Sequence, residues 1–119
     1  MKNVIMLMVA VLMITAVQAQ EKVKNSYIDN GDVIEATLYY DSGEVSQTGF
    51  YTKEGKLTGE WISYNRQGKE TAKAQYDNGA KVGIWFFWNN DTLSEVAYSD
   101  SKIESVKTWK SENVRIVSE

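Results

Sequence analysis

The chain of 119 residues contains no Cys, no His and no Pro. Without His or Cys it cannot build a Ser–His or Cys–His nucleophile pair, a zinc site with imidazole or thiolate ligands, or a disulfide framework. The charge is nearly balanced, with 13 Lys plus Arg against 16 Asp plus Glu. Because nucleic-acid binding needs clustered basic residues and these are scattered singly, the sequence predicts no nucleic-acid partner. Membrane association stays open, although the charge does not indicate it.

The first residues have the order of a secretory signal peptide. Met1-Lys2 precedes an apolar run from Val4 to Val17, and Ala19 ends the segment as the small residue before a cleavage site. A membrane-spanning helix needs roughly 20 apolar residues, whereas this run has 14 positions. We therefore predict a signal peptide in residues 1–19, cleavage after Ala19, and export to the periplasm or the medium. An uncleaved membrane anchor is the alternative.

A spacing of 24 residues recurs through the rest of the chain. It separates Gly59 from Gly83 and Trp61 from Trp85. A fixed period of this length indicates repeated structural units, and the pattern fades at both ends, as expected of terminal units in a stack. The same spacing relates two further series, which are Gly31, Gly55, Gly79 and Tyr40, Tyr64, Trp88.

The segments between the turns are short and rich in aromatic and β-branched residues, which is typical of strands joined by hairpin turns. The sequence predicts an all-β fold, a meander of stacked β-hairpin repeats that forms an elongated, twisted antiparallel sheet. This domain would occupy residues 31–119, after the signal peptide and an N-terminal lead-in at residues 20–30. The eight predicted strands are Val33–Asp41, Val45–Thr52, Gly59–Tyr64, Thr71–Tyr76, Gly83–Asn89, Thr92–Tyr98, Ile103–Lys110 and Val114–Ser118.

The spacing of the aromatics along each strand predicts two aromatic ladders. Trp61 and Tyr64 are three residues apart, as are Trp85 and Trp88, which places the members of each pair on opposite faces of a strand. A glycine two residues before each of Trp61 and Trp85 is expected to lie on the Trp face and to leave room there.

Two interpretations of these aromatics are open. Large aromatics that recur once per unit are most often core residues, and this interpretation is favoured for Trp61, Trp85 and Tyr64. The alternative is an exposed stripe that binds a peptide strand, a sugar chain or a lipid headgroup, with Trp88 as its best candidate. The apolar segment from Gly83 to Trp88 is either the centre of the core or an interaction patch. The candidate binding residues are therefore Trp88, Tyr64, Tyr40, Trp85, Trp61 and Phe87.

Paired carboxylates are the catalytic option that the composition leaves. Each close pair flanks a predicted turn, where carboxylates are usually solvated or cap the backbone. We therefore predict no catalytic residues, no metal site and no cofactor, and a protein that is not an enzyme. The three pairs are Asp29 with Asp32, Asp41 with Glu44, and Asp91 with Glu95.

The segments Gly59-Glu60-Trp61-Ile62-Ser63-Tyr64 and Gly83-Ile84-Trp85-Phe86-Phe87-Trp88 resemble the MORN repeat family, in its bacterial variant with Gly-x-Trp-x-x-Tyr. The resemblance covers about Gly31 to Trp109. It implies that each unit is a β-hairpin, that the hairpins stack into a single sheet, and that the protein is a scaffold or an interaction module. It brings no shared catalytic residues, and some bacterial members are described as antitoxin-like.

The functional hypothesis is an exported, non-enzymatic repeat protein that acts as a protein-binding or scaffolding module. Its partner would be an unidentified protein or an envelope polymer, and the oligomeric state is left open. Two alternatives remain. One is an antitoxin-like or immunity-like protein, and the other is a carbohydrate or cell-envelope binder that uses an aromatic stripe.

Export is tested by the mass of the protein recovered from the cell envelope or the medium. Because cleavage is expected after Ala19, the recovered chain should begin at Gln20. A mass that includes Met1 to Ala19 on envelope protein would contradict cleavage at this position.

Overall fold

The computed structural model describes residues 23–112 and 115–118, and the predicted signal peptide lies outside the described residues. Ten β segments make up one sheet in this part of the chain. They are β1 (Ser26–Asp29), β2 (Val33–Tyr39), β3 (Val45–Thr52), β4 (Leu57–Tyr64), β5 (Glu70–Asp77), β6 (Ala80–Lys81), β7 (Gly83–Asn89), β8 (Thr92–Ser99), β9 (Lys102–Glu112) and β10 (Arg115–Ser118).

The strands follow one another across the sheet in chain order, and all the pairings are antiparallel. The short β6 pairs only with β5, so β5 and β7 are neighbours on the main path. The all-β antiparallel meander predicted from the sequence is therefore confirmed. Within the described residues, no helix is long and apolar enough to cross a membrane.

Two strands were not predicted. β1 lies inside the segment assigned to the lead-in, and its four residues pair with β2. β6 has two residues, which is too short for an alternating apolar pattern to be visible. The predicted count of eight strands was therefore too low.

Three of the connections share one hydrogen-bond pattern. In the turn that begins at Thr52, the Gly55 amide donates to the Thr52 carbonyl, and the Thr52 amide donates to the carbonyl of Lys56. The turns that begin at Tyr40 and Asn65 repeat these bonds residue for residue. The pattern is that of a three-residue hairpin loop closed by a glycine, so the loops fix which strands become neighbours.

The sheet has a single layer, and its buried core is small. The buried hydrophobic residues in the described part of the chain are Ala36, Trp61, Ala74 and Trp85, and no large side chain there is fully buried. These four form one cluster on one face of the sheet. We call this face the Trp61 face. Because no other described segment covers this face, the sheet must bury its apolar groups against side chains of its own neighbouring strands.

Small residues make this burial possible. Gly49, on β3, lies directly beneath the indole of Trp61, and a Cβ at this position would fall inside the van der Waals space of the ring. Gly49 pairs with Ala36, and Trp61 pairs with Ala74. The large ring is therefore surrounded by residues with little or no side chain, which lets it lie flat across the sheet.

The expectation that Gly59 and Gly83 leave room for an indole was wrong. A Cβ on Gly59 would contact the ring of Phe50, and one on Gly83 would contact the side chain of Gln75, both at ordinary van der Waals distance. Both glycines have φ of +68°, a left-handed conformation that side chains other than glycine's rarely adopt. The two glycines therefore permit the left-handed backbone conformation that precedes each Trp. The room for the Trp61 indole is supplied by Gly49 instead.

The packing of Trp61 on Gly49 predicts the sign of a stability change. An added methyl on a strand glycine without close neighbours should stabilise the fold slightly, because the unfolded chain loses entropy. In Gly49→Ala the methyl meets the indole instead, so we expect the free energy of unfolding to fall by about 1–3 kcal/mol. Urea denaturation measures this change.

The control is a double-mutant cycle with Trp61→Phe. The smaller ring should relieve part of the overlap, so Gly49→Ala should cost less in that background. A stabilising effect of Gly49→Ala in the wild-type background would contradict the packing.

Candidate binding surfaces on the two faces of the sheet

Trp61 and Trp85 hold equivalent positions on the Trp61 face. Their exposed fractions are 5% and 7%. The Trp61 indole N–H donates to the carbonyl of Phe50 on the preceding strand at 2.9 Å, and that of Trp85 donates to the carbonyl of Gln75 at 3.0 Å. Each ring therefore leans back over the strand before it without leaving a buried donor unpaired. The core interpretation is confirmed for these two residues.

A tyrosine accompanies each indole. The ring of Tyr51 meets that of Trp61 edge-on, with centroids 5.0 Å apart, and Tyr76 meets Trp85 at 5.1 Å in the same manner. Such edge-to-face pairs are favourable beyond the area they bury. The two aromatic pairs form separate ridges on the same face.

A groove runs between the two ridges. It has a volume of about 220 Å³. Small side chains of β4 and β5 lie along it, while the ridges and Phe87 border it, and none of its lining residues is charged. We call it the Trp61–Trp85 groove. Its lining residues are Gln47, Tyr51, Leu57, Trp61, Ser63, Ala72, Ala74, Tyr76, Trp85 and Phe87.

At one side of the groove, Tyr98 and Lys81 pack against Trp85. The Trp85 ring packs against that of Tyr98 at 4.8 Å, and the Lys81 amino group lies 5.2 Å and 5.3 Å from the rings of Trp85 and Tyr98, within the range of a cation–π contact. Burial, with a smaller contribution from the charge of a Tyr98 phenolate, raises the pKa of Tyr76. This side of the groove is therefore closely packed and partly dehydrated.

The apolar segment from Gly83 to Trp88 divides between the two faces. Its pairing with β8 is uninterrupted, so its side chains alternate. Trp85 is buried, whereas Ile84 and Phe87 remain 49% and 36% exposed on opposite faces. The segment is thus part of the core on one face and an exposed apolar patch on both.

Trp88 lies on the face opposite Trp85, as predicted. Its ring stacks on that of Phe86, with centroids 5.9 Å apart and planes inclined by 19°. Trp88 pairs with Leu93, which in turn pairs with Trp109. The three side chains therefore stand in one row across strands β7, β8 and β9, beside a shallow depression of about 130 Å³.

Tyr40 and Tyr64 do not join either aromatic surface and instead connect two turns. The Tyr40 hydroxyl donates to the backbone carbonyl of Tyr64, and the Arg66 guanidinium lies 4.5 Å from the centre of the Tyr40 ring. A register irregularity between Ser63 and Tyr64 breaks the simple alternation used to place Tyr64. Both tyrosines are half-buried, and their contacts are those of residues that hold turns together.

In two of the predicted carboxylate pairs, one member is bonded to a neighbouring side chain. Asp29 forms an ion pair with Lys53, and the hydrogen bond from this lysine lowers the pKa of Asp29. The hydrogen bond from the Ser42 hydroxyl lowers the pKa of Glu44 in the same direction. A general acid needs a raised pKa. Among the described residues, no group of three or more acidic side chains could hold a metal ion.

Of the six candidate residues, the structure brings together Trp61, Trp85 and Phe87 around one groove and places Trp88 on the other face. Trp109 was not among the six candidate residues, because it follows Trp88 by 21 residues and so falls outside the 24-residue spacing. The lengths of the two hairpins could have identified Trp109. When β7, β8 and β9 are paired in register, Leu93 lies opposite both Trp88 and Trp109.

Searches against protein-family models, curated proteins and solved structures each returned no match for this chain.

The raised pKa of Tyr76 predicts a change of stability at alkaline pH. The unfolded state loses the phenolic proton near the ordinary value of 10.0, while the folded state holds it to higher pH. Stability from this group is therefore complete below about pH 10 and is lost as the pH rises through the folded-state pKa. In urea denaturation, the free energy of unfolding should fall less for Tyr76→Phe than for the wild type as the pH rises above about 10. Parallel pH profiles of the two proteins would contradict the assignment.

Proposed function

We propose that this chain is an exported, non-enzymatic repeat protein of the MORN type that binds an apolar segment of another protein. The Trp61–Trp85 groove is the binding surface. The observation that carries the proposal is an uncharged groove between two aromatic ridges, on a face of the sheet that no other part of the described chain covers.

Correspondences at a separation of 24 or 25 residues support the repeat. Trp61 and Trp85 differ by 24 residues, and the carbonyls that accept their indole hydrogen bonds, those of Phe50 and Gln75, differ by 25. The Asp29–Lys53 ion pair also joins residues 24 apart. Neighbouring hairpins thus use the same contacts, which is the behaviour expected when similar units stack.

The exposure of the Trp61 face around the groove supports a binding role. A soluble monomer rarely leaves a large contiguous apolar surface in water, and such surfaces usually mark interaction sites. Here Tyr27 and Val106 on the Trp61 face are each 58% exposed, and Phe87 is 36% exposed. The ridges also hold the groove in shape before any partner arrives, which reduces the entropy lost on binding.

The chemistry of the lining selects the partner class. None of the lining residues carries a charge, so an apolar segment would leave no buried charge unpaired. The ridges offer aromatic rings of the kind that dominate protein–protein interfaces. A nucleic acid fits poorly, because the chain has a net charge of −3 and no basic cluster lines the groove.

The absence of catalysis is part of the proposal. The chain has no His or Cys, and the pKa values of Asp29 and Glu44 are lowered, which suits solvated or paired carboxylates and not a general acid. Export, as predicted from residues 1–19, would place the partner in the envelope or outside the cell.

The proposal is tested by a matched pair of substitutions on β7. Phe87→Glu places a charge at the border of the groove, and Ile84→Glu places the same charge on the opposite face of the same strand. We expect Phe87→Glu to abolish affinity capture of envelope proteins that the wild-type chain retains, because a buried carboxylate without a partner is costly. Ile84→Glu should retain them.

Circular dichroism of both variants shows whether the sheet is intact. Loss of the same captured proteins in both folded variants, or in neither, would contradict a groove-specific interaction.

A further inference from the structure

The depression beside Trp88 and Trp109 lies on the face opposite the groove and has a different composition. Its row of apolar side chains, Trp88, Leu93 and Trp109, crosses three strands. The two tryptophans are separated by one intervening strand, so their backbones stand roughly 10 Å apart. Both indoles are half-buried, which leaves part of each ring open to a ligand.

Polar groups border one end of this row. The hairpin turn between β7 and β8 consists of Asn90 and Asp91, both exposed. The Ser111 amide donates to the Asp91 backbone carbonyl at 2.6 Å, which holds the turn beside β9. The turn thus presents the amide of Asn90 and the carboxylate of Asp91 next to the indoles. The residues that line the depression are Trp88, Asn90, Asp91, Thr92, Leu93, Trp109 and Ser111.

We propose that this depression binds one ring of a neutral polysaccharide. A pyranose ring has an apolar C–H face and a rim of hydroxyl groups, so it needs an aromatic platform with hydrogen-bonding groups at its edge. Trp88 and Trp109 supply the platform, while Asn90 and Asp91 supply an amide and an acceptor for hydroxyl protons.

The size of the depression agrees with a single ring. Its volume of about 130 Å³ is well below the ~300–1,000 Å³ of pockets that enclose a drug-sized ligand. A shallow site of this size contacts one residue of a longer chain and leaves the neighbouring residues in water. The Phe86–Trp88 stack fixes the Trp88 indole in advance, so little side-chain entropy is lost on binding.

The charges of the site exclude an anionic polymer. Among the described residues, no Lys or Arg lines the depression, and the Asp91 carboxylate would repel uronic acid, phosphate or sulfate groups. A protein segment is disfavoured as well, because the polar turn would lose its hydration without a matching partner. A neutral polyol places C–H groups on the indole rings and offers hydroxyl groups to the hydrogen-bonding side chains of the turn.

The experiment is calorimetric titration of the full chain with cellohexaose and with chitohexaose, and polygalacturonate is the anionic comparison. We expect saturable binding of at least one neutral hexasaccharide at a Kd no weaker than about 1 mM, and no binding of polygalacturonate. Trp88→Ala and Trp109→Ala should each weaken binding about tenfold or more, and Trp88→Phe should retain most of it.

The matched control separates this site from the groove. Phe87→Glu, on the opposite face, should leave the hexasaccharide affinity unchanged, so failure of one proposal does not imply failure of the other. Saturable binding that persists in both folded Trp→Ala variants would overturn the assignment of the site. Absence of binding by both neutral hexasaccharides, or tighter binding of polygalacturonate, would overturn the ligand class.

Discussion

A sheet of one layer has no second layer to bury its side chains against, and the packing of the two core indoles answers this constraint. Trp61 lies flat over Gly49, a residue without a side chain, and its N–H reaches the carbonyl of Phe50. Trp85 repeats the arrangement with Gln75. Each indole thus covers the strand before it and ties two hairpins together. Because the hydrogen bond goes to a backbone carbonyl, it depends on the strand path and not on the identity of the residue that supplies it.

The same constraint produces the two surfaces proposed here for binding. Rings that lie flat and lean in one direction leave a gap between successive ridges, and this gap is the Trp61–Trp85 groove. On the other face, Trp88, Leu93 and Trp109 are left as a row with polar neighbours at the turn. One face is therefore uncharged and apolar along its groove, while the other combines aromatic rings with hydrogen-bonding groups. The two faces suit different classes of ligand.

Much of the fold could be predicted from the sequence, because strand patterning and turn residues are local. The 24-residue spacing and the glycine-bearing turns located all eight predicted strands within two residues at each end, and the opposite orientations of Trp85 and Trp88 follow from alternation. Three features depend on cross-strand geometry and could not be predicted in this way. The role of Gly49 arises from a ring on another strand, the position of Tyr64 follows a register irregularity, and Trp109 joins Trp88 through Leu93.

The most direct test is solvent exchange of the four indole N–H groups, measured by nuclear magnetic resonance on the full chain. Trp61 and Trp85 donate to backbone carbonyls inside the sheet, so their indole protons should exchange slowly. Among the described residues, Trp88 and Trp109 have no such acceptor, so theirs should exchange quickly. Two slow and two fast indoles is the result expected of a single-layer sheet that buries its tryptophans against its own strands. Fast exchange at Trp61 and Trp85 would contradict it.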